Sequence, residues 1–256
     1  MEVIKNKTAI VTNKTILTIF DESISKNRFL MFINFSELMK NELINIYQKL
    51  EEEYGFQNWW PTISTNRKFE IIIGAILTQN TSWTNVEKAI RNLDKFNFLR
   101  KDAIKQLGEK ELGQLIKSSG YFRQKSKKLK NFIEFLDSKK EINKENLLEV
   151  WGIGKETADS ILLYAYEKPI FVIDAYTKRV FSRIGVINNE NIEYDEIQKI
   201  FMDNLKDDVR LFKEYHALIV KLGKEVCLKR NPKCNECCLR EICKFGKTNI
   251  QKTRQA

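Results

Sequence analysis

The sequence lacks the long apolar runs of membrane proteins. Its 256 residues contain no stretch of 18 apolar residues, whereas a helix needs about 20 to cross a bilayer. The first twenty residues, MEVIKNKTAIVTNKTILTIF, also lack the apolar core and small-residue cleavage site of a signal peptide. We therefore expect an intracellular, cytoplasmic protein that neither enters a membrane nor is exported.

Cysteine is absent from the first 226 residues, and histidine occurs once in the chain. All five cysteines lie between Cys227 and Cys243. In a reducing compartment, metal binding explains such a cluster better than disulfides do. The one histidine, His216, follows a helical pattern with Leu211 and Leu218, so we expect it to serve packing.

The composition is that of a folded protein with a polyanionic partner. With 43% hydrophobic residues, the chain can bury a full core in one large domain or two closely packed lobes. Lys and Arg number 44 against 34 Asp and Glu, which gives a formal charge of +10. Such an excess suits nucleic acid, although charge alone identifies no partner.

The most informative stretch runs from residue 145 to residue 184. A short apolar segment ends at Val150, the sequence WGIG follows, and helical spacing resumes at Ala158. This pattern predicts helix, hairpin, helix. Gly152 and Gly154 permit a tight turn and close approach of another backbone, and the start of the second helix offers free N–H groups to a phosphate. For this short motif taken alone, an ordinary helix-helix turn is the better explanation.

A single carboxylate follows this hairpin. The apolar run IFVI leads to Asp174 at the start of another helical pattern. Asp174 fits a helix N-cap. It also fits a carboxylate at the edge of an apolar pocket, where burial and the helix dipole tune its pKa.

Two further segments carry unusual polar or aromatic residues. The turn TQNTS, which contains Gln79, separates an apolar helix over residues 69–77 from a helical pattern that begins at Trp83. Upstream, Trp59 and Trp60 stand side by side before a proline. A basic turn, GYFRQKSKK, covers residues 120–128, and we expect it to form a solvated face.

The cysteines have a metal-binding spacing. Four thiols lie within 17 residues and are separated by six, two and five residues. A segment of this length is too short to build a core of its own, so a metal centre must organise it. Spacing alone allows zinc or a [4Fe–4S] cluster. The four predicted ligands are Cys227, Cys234, Cys237 and Cys243. Cys238 is left over as a thiol outside the ligand set.

Taken together, the hairpin with GIGKETA, the spaced Asp174 and the cysteine loop resemble the helix-hairpin-helix (HhH-GPD) DNA glycosylases of the endonuclease III superfamily. The stretch WWPTISTNRKFEIIIGAILTQNTSW is most similar to 3-methyladenine DNA glycosylase III and its endonuclease-III-related kin. The cysteine spacing matches the cluster loop of endonuclease III relatives, so the resemblance favours [4Fe–4S] over zinc. It covers about residues 39–244.

The resemblance implies an all-α, two-lobed fold with DNA bound across the cleft. We expect the first helix to begin at Met39, after an N-terminal extension of unknown role. The predicted parts are that extension at 1–38, a cluster lobe at 39–62 plus 166–246, a helical-barrel lobe at 63–165 ending in the hairpin, and a basic tail at 247–256.

The resemblance also assigns roles to residues. Asp174 is the catalytic carboxylate, and Gln79 fills the gap that the flipped base leaves. Lyases of the family carry a nucleophilic Lys where this chain has Glu156. Lys155 is one residue earlier, which turns its side chain by about 100° toward the DNA backbone. The remaining candidates are Trp59, Trp60 and Trp83 for the base pocket, and Gly152, Gly154, Thr157, Lys229, Arg230 and Lys233 for DNA contacts.

The implied function is base excision repair. The leading hypothesis is a monofunctional, monomeric glycosylase that removes damaged bases, alkylated purines above all, from double-stranded DNA of the nucleoid. An aromatic pocket would bind a cationic alkylated purine by stacking. Two alternatives are a bifunctional glycosylase/AP lyase for oxidised pyrimidines and a non-catalytic lesion-sensing protein. Retention of Asp174 argues against the last, since phosphate binding does not need that carboxylate.

Overall fold

A computed structural model describes the backbone of residues 22–253 and the side chains of residues 36–248. This part of the chain is all-helical, without strands, which confirms the predicted fold class. The α-helices are α1 (Glu22–Tyr54), α2 (Arg67–Leu77), α3 (Trp83–Lys95), α4 (Lys101–Gln106), α5 (Glu109–Leu115), α6 (Phe122–Asp137), α7 (Lys144–Leu148), α8 (Lys155–Ser160), α9 (Ala175–Ile184), α10 (Tyr194–Asn204), α11 (Val209–Glu225) and α12 (Lys244–Thr253). Short 3₁₀ turns cover Lys117–Ser119 and Cys234–Glu236, and a π-helical turn covers Ile161–Ala165.

The first helix is longer than the sequence suggested. Helix α1 begins at Glu22, so the predicted start at Met39 is wrong. No Pro or Gly interrupts residues 22–54, and once a helix is nucleated each further residue adds a hydrogen bond. The helix ends before Gly55, whose φ of 64° is a common helix stop. Residues 1–21 of the predicted extension lie outside the described residues.

The chain divides into two compact units, Met1–Glu42 and Leu43–Ala256. In the first unit, the described residues belong to α1. All residues of the candidate site belong to the second unit. No helix in residues 22–253 is long and apolar enough to span a bilayer.

Helix α2 forms the centre of one part of the second unit. Every residue from Phe69 to Leu77 is buried, as expected of a helix that is apolar on all sides. It packs against α3, α6 and the π-helical turn. The turn that follows α2, which holds Gln79, is thereby fixed between core helices.

Aromatic packing fixes the segment that leads to Asp174. Phe171 stacks on Phe201 with ring centroids 4.0 Å apart, and Phe212 and Tyr215 meet Phe171 edge to face. All four rings are fully buried. Helix α9 then packs on α11 and α12. The division into lobes at residues 63–165 and 166–246 stays a prediction.

In the basic turn at residues 120–128, Arg123, Gln124 and Lys127 are exposed, as expected of a solvated face, but Lys125 is an exception. Lys125 is only 2% exposed, and its Nζ donates to the carbonyl oxygens of Leu77 and Ser119 at 2.8 and 2.6 Å. Burial, together with the nearby charge of Lys128, lowers the pKa of Lys125 to about 8. This lysine therefore ties α6 to the end of α2 inside the protein.

Candidate active site

The helix-hairpin-helix forms as predicted from α7, a turn and α8. Gly152 has a φ of 91°, and a Cβ there would collide with the side chain of Lys128. Both the backbone conformation and the close contact require glycine. Gly154 is the N-cap of α8 and provides no side chain to cap it. The first N–H groups of α8 consequently have no cap from that residue.

Gln79 joins the α2–α3 turn to this hairpin. Its Nε2 donates to the carbonyl oxygen of Gly152 and to Oγ1 of Thr157, both at 3.0 Å. Lys128 donates to its Oε1. In this structure Gln79 is thus held against the hairpin. Its role in filling the gap in DNA stays a prediction.

Asp174 is the N-cap of α9, as the sequence indicated. Its Oδ1 accepts from the backbone N–H of Thr177 at 2.7 Å and from the Thr177 hydroxyl at 2.8 Å. Burial acts to raise the pKa of Asp174, but the neighbouring His216 and the hydrogen bonds from Thr177 outweigh it and lower the pKa below its ordinary value. Asp174 is therefore a carboxylate that stays ionised although little of it reaches water.

His216 faces the second oxygen of Asp174. Its Nε2 lies 3.7 Å from Asp174 Oδ2, and its Nδ1 lies 2.7 Å from the hydroxyl oxygen of Tyr164. The ring is 6% exposed, so it is packed as expected. Its position beside Asp174 was not expected.

Glu156 lies in the first turn of α8 and lines the same cavity as Asp174. Burial, followed by the charge of Asp174, raises the pKa of Glu156 to about 7. The Glu156 side chain is exposed where it lines the cavity, and the walls of the cavity limit the hydration of its charged form. The two carboxyl groups differ in ionisation near neutral pH, a pattern typical of acid and base pairs.

Lys155 is oriented differently from its neighbour. Its Nζ pairs with Asp195 Oδ2 at 2.6 Å, and both side chains are substantially exposed. The ammonium therefore stands at the rim of the cavity, bonded to Asp195. Whether it contacts DNA stays a prediction.

One cavity of about 1090 Å³ brings most predicted site residues together. Its lining includes both carboxyl groups, Gln79, the hairpin glycines and the tryptophans. The predicted residues around it are Trp59, Trp60, Gln79, Trp83, Gly152, Gly154, Lys155, Glu156, Thr157 and Asp174.

The three tryptophans form one cluster, with ring centroids 5.1 to 6.0 Å apart. Trp60 is 7% exposed. A Cβ on Gly74 would come within 3.1 Å of its ring, so Gly74 admits the indole into the core. Trp59 and Trp83 are half-buried and border the cavity. Trp60 is thus mainly a packing residue, and the other two are better placed to meet a base.

Lys224 adds a positive charge to this wall. Its Nζ lies 5.5 Å from the ring centroid of Trp59, a cation–π distance. Burial lowers the pKa of Lys224, although Asp174 and Glu225 act in the opposite direction. The cavity therefore contains an amine as well as two carboxyl groups.

The back of the cavity is fixed by a buried carboxylate, Asp159. Its Oδ2 accepts from Tyr194, Gln198 and Lys144 at 2.7, 2.7 and 3.0 Å. The Tyr194 hydroxyl also accepts from the backbone N–H of Ile173 at 3.3 Å. The residue before Asp174 is thereby tied to α8 and α10.

The cysteine loop is held by Arg183. This guanidinium donates to Cys227 Sγ at 3.3 Å and to two carbonyl oxygens of the loop. A second thiol, Cys243 Sγ, accepts from the backbone N–H of Gly246 at 3.3 Å. N–H donors to sulfur and a set of four thiols fit an iron-sulfur cluster. Within the described residues, no group of three or more metal-binding side chains is gathered at coordination distance.

The basic residues of this loop that we predict to contact DNA lie away from the cavity. Lys229, Arg230 and Lys233 have exposed side chains and do not line the cavity. Lys233 Nζ lies 3.9 Å from the carboxylate of Glu236. Their contact with DNA stays a prediction.

Among the residues that sequence reasoning missed, Tyr194, His216 and Lys224 line the cavity, and the buried Tyr164 contacts His216. Their positions in the sequence fit ordinary core or surface residues of helices, so the sequence pattern gave little sign of a functional role. A lone polar residue among apolar neighbours, as at His216, was the one usable hint.

The fold and the site define a class, the helical DNA base-excision proteins with a helix-hairpin-helix and an aspartate beside it. The profile described as "HhH-GPD superfamily base excision DNA repair protein" matches residues 73–207. This chain belongs to the HhH-GPD superfamily of base excision DNA repair proteins.

Curated relatives agree with this assignment. A protein of Methanocaldococcus jannaschii assigned as a DNA repair glycosylase is 46% identical over 80% of this chain and 97% of its own length. Endonuclease III of Thermotoga maritima is 29% identical over 69% of this chain and 83% of its own length.

Solved structures share the fold. Endonuclease III in a non-covalent DNA complex superposes with a TM-score of 0.73 at 20% identity, covering 83% of this chain and 98% of that one. The H. pylori 3-methyladenine DNA glycosylase bound to 1,N6-ethenoadenine gives a TM-score of 0.61 at 27% identity, covering 74% and 97%.

Proposed function

We propose that this glycosylase is monofunctional: it flips a damaged nucleotide out of double-stranded DNA and hydrolyses the N-glycosidic bond without cutting the strand. The observation that carries the proposal is the pair of carboxyl groups on one cavity. Asp174 has a lowered pKa and Glu156 has a pKa of about 7. Neither group can form an imine with the sugar.

Asp174 stabilises the transition state. As the N-glycosidic bond breaks, positive charge develops at C1′ and O4′ of the sugar, and a fixed carboxylate lowers the energy of that charge. Two hydrogen bonds to Thr177 hold Oδ1 in place. Asp174 lines the cavity, and its carboxylate also orients the attacking water there.

Glu156 supplies a proton. A pKa of about 7 allows Glu156 to hold its proton near neutral pH. A neutral carboxylic acid can donate its proton to the departing base, and water then adds to C1′. The products are the free base and an intact abasic strand.

Alkylated purines are the leading substrate class. An N3-alkylated purine is cationic, and the exposed faces of Trp59 and Trp83 would bind it by stacking and cation–π attraction. Similarity to the H. pylori 3-methyladenine glycosylase supports this choice. Such a base is already a good leaving group, so Glu156 would contribute little to its release.

A second candidate is a neutral damaged base. Lys224 occupies the face of Trp59 and would repel a cationic purine, whereas its ammonium could donate to a carbonyl oxygen of a neutral base. Excision of a neutral base also needs the proton that Glu156 can provide. This candidate and the first differ in their dependence on Lys224 and Glu156.

The bifunctional alternative requires an amine in the cavity. Three lysines line it. Lys155 pairs with Asp195 and Lys128 with Gln79. Lys224, with its lowered pKa, is therefore the lysine best suited to form a Schiff base.

Lesion duplexes with alkylated, oxidised and deaminated bases would test the function. We expect base release that leaves abasic strands intact until alkali is added. Glu156→Lys should add weak lyase activity, trapped by borohydride. If the unmodified protein is trapped covalently and Lys224→Ala abolishes trapping, the enzyme is bifunctional. If no lesion is released, the lesion-sensing alternative gains support.

DNA docks on the hairpin in this proposal. The backbone N–H groups near Gly152 and Gly154 approach a phosphate, and Thr157 lies in the first turn beside them. The exposed lysines at 155, 229 and 233, with Arg230, neutralise further phosphates and make binding depend on salt.

We further propose that Cys227, Cys234, Cys237 and Cys243 hold a [4Fe–4S] cluster, which when bound would supply structural rigidity to the loop. Purified protein should then absorb broadly near 400 nm. Cys234→Ser should lose iron and colour, whereas Cys238→Ser, its matched control, should keep both. Colourless, zinc-loaded and active protein would contradict the cluster.

A further inference from the structure

His216 and Tyr164 have no role in the mechanism above. His216 faces the carboxylate of Asp174, and Tyr164 contacts His216. Tyr164 belongs to the π-helical turn after α8, and π turns recur at functional sites. His216 belongs to α11. Their side chains meet behind Asp174, inside the protein.

The contacts favour one tautomer of His216. The Tyr164 oxygen lies 2.7 Å from Nδ1 but 3.3 Å from the carbonyl oxygen of Lys213, and the shorter distance favours a phenol hydrogen that is directed at Nδ1. Burial raises the pKa of Tyr164 well above its ordinary value, which keeps that hydrogen in place. Nδ1 is then an acceptor, and the ring hydrogen is on Nε2.

That hydrogen points toward Asp174. Nε2 is buried and has no hydrogen-bond partner within 3.5 Å among the described residues, while Asp174 Oδ2 is 3.7 Å away. The distance is longer than a relaxed hydrogen bond. A small movement of Asp174 as charge develops on the sugar would shorten it.

We propose that His216, oriented by Tyr164, is a positioning residue that donates from Nε2 to Asp174 and keeps this carboxylate ionised and aimed at the sugar. This inference rests on the proposed function. It assigns two residues outside α8 and α9 to the reaction. It also gives a role to the buried donor at Nε2, since an unpaired buried donor is unfavourable.

Other groups act on Asp174 as well, and they are unchanged by substitution of His216. Thr177 donates to Oδ1. The ionisable groups that interact with it electrostatically are Glu156, Tyr164, Tyr176, His216 and Lys224.

The first test is spectroscopic and needs no substrate. Because the chain has one histidine, protein with ¹⁵N-labelled histidine gives signals from His216 alone. At the pH of maximal activity we expect hydrogen on Nε2, and in Tyr164→Phe a shift toward the other tautomer. A bare Nε2 in the unmodified protein would overturn the proposal.

The second test is kinetic. His216→Ala should slow single-turnover base release by roughly 10- to 100-fold, the range for losing a hydrogen bond to a charged group, with lesion-DNA affinity unchanged. The acid limb of the pH profile should move to higher pH, because Asp174 loses a donor that lowers its pKa. His216→Gln, which can offer an amide N–H, should restore part of both.

Controls separate this role from packing and from the function itself. Tyr215→Phe removes another buried hydroxyl bond, 2.8 Å to the carbonyl oxygen of Leu43, and should leave the acid limb in place. A His216→Ala protein that loses stability but keeps the original acid limb would make His216 structural. Failure of the proposed function would instead appear as an active Asp174→Asn.

Discussion

Asp174 and Glu156 both lie at the beginning of a helix and line one cavity, yet their pKa values shift in opposite directions. Asp174 accepts two hydrogen bonds from Thr177 and faces His216. In the described part of the chain, no hydrogen bond reaches the Glu156 carboxylate. The helix dipole favours negative charge at both positions, so the dipole does not decide the outcome. Specific donors do.

In the proposed mechanism, this difference gives the two groups separate tasks. A carboxylate that stays ionised can stabilise a cationic sugar, and a carboxyl that holds its proton near neutral pH can protonate a base. Each also affects the other, because the charge of Asp174 raises the pKa of Glu156.

Removing the ionised member should have the largest effect. Asp174→Asn keeps the shape but loses the charge, so we expect base release to fall by at least about 10³-fold with little change in lesion-DNA affinity. Single-turnover kinetics and fluorescence anisotropy would measure the two quantities. Asp208→Asn, the same change at the N-cap of α11, is the matched control. Unchanged turnover in Asp174→Asn would remove this residue from the mechanism.

Removing the proton donor should have a smaller and substrate-dependent effect. Glu156→Gln should slow release of neutral bases by about 10²-fold. It should also eliminate the fall in rate above about pH 7 that we expect when Glu156 loses its proton. Release of a cationic N3-alkylated purine should change much less. Parallel rates on the two lesion classes would measure this. Equal loss on both would mean that Glu156 serves something other than leaving-group protonation.

The same variant should change how stability depends on pH. The folded pKa of Glu156, about 7, exceeds its ordinary value of 4.5, so folded protein binds this proton more tightly than unfolded protein. Its stabilising contribution is complete below pH 4.5 and is lost as the pH rises to 7. The Tm of Glu156→Gln relative to the unmodified protein should therefore rise across that window.

The smallest effect is expected for a substitution of Lys155, the residue that precedes Glu156. Lys155→Ala removes an exposed ammonium that pairs with Asp195. Lesion-DNA binding should weaken a few-fold, and the salt dependence should fall by about one phosphate contact, with the same abasic product. Titrations at several salt concentrations would show it. Loss of base release with unchanged binding would mean that Lys155 acts in the cavity.

Local sequence chemistry determined much of this protein. The glycines of the hairpin, the cap at Asp174 and the apolar helix before Gln79 follow from short-range rules of backbone conformation and periodicity, and the structure has all three. The start of α1 did not follow from these rules, because a helix can extend through a segment without an apolar face. The number and the spacing of the cysteines were enough to predict a metal site from the sequence.

Only the tertiary structure decided which residues share the cavity. His216 lies 42 positions after Asp174 in the chain and Tyr164 lies 10 before it, and no local pattern relates them. Packing of α11 and the π-helical turn brings them together. The burial of Trp60 and the opposite pKa shifts of two similar carboxyl groups likewise depend on neighbours from distant segments. Ionisation reflects the local surroundings in space, which the order of residues does not specify.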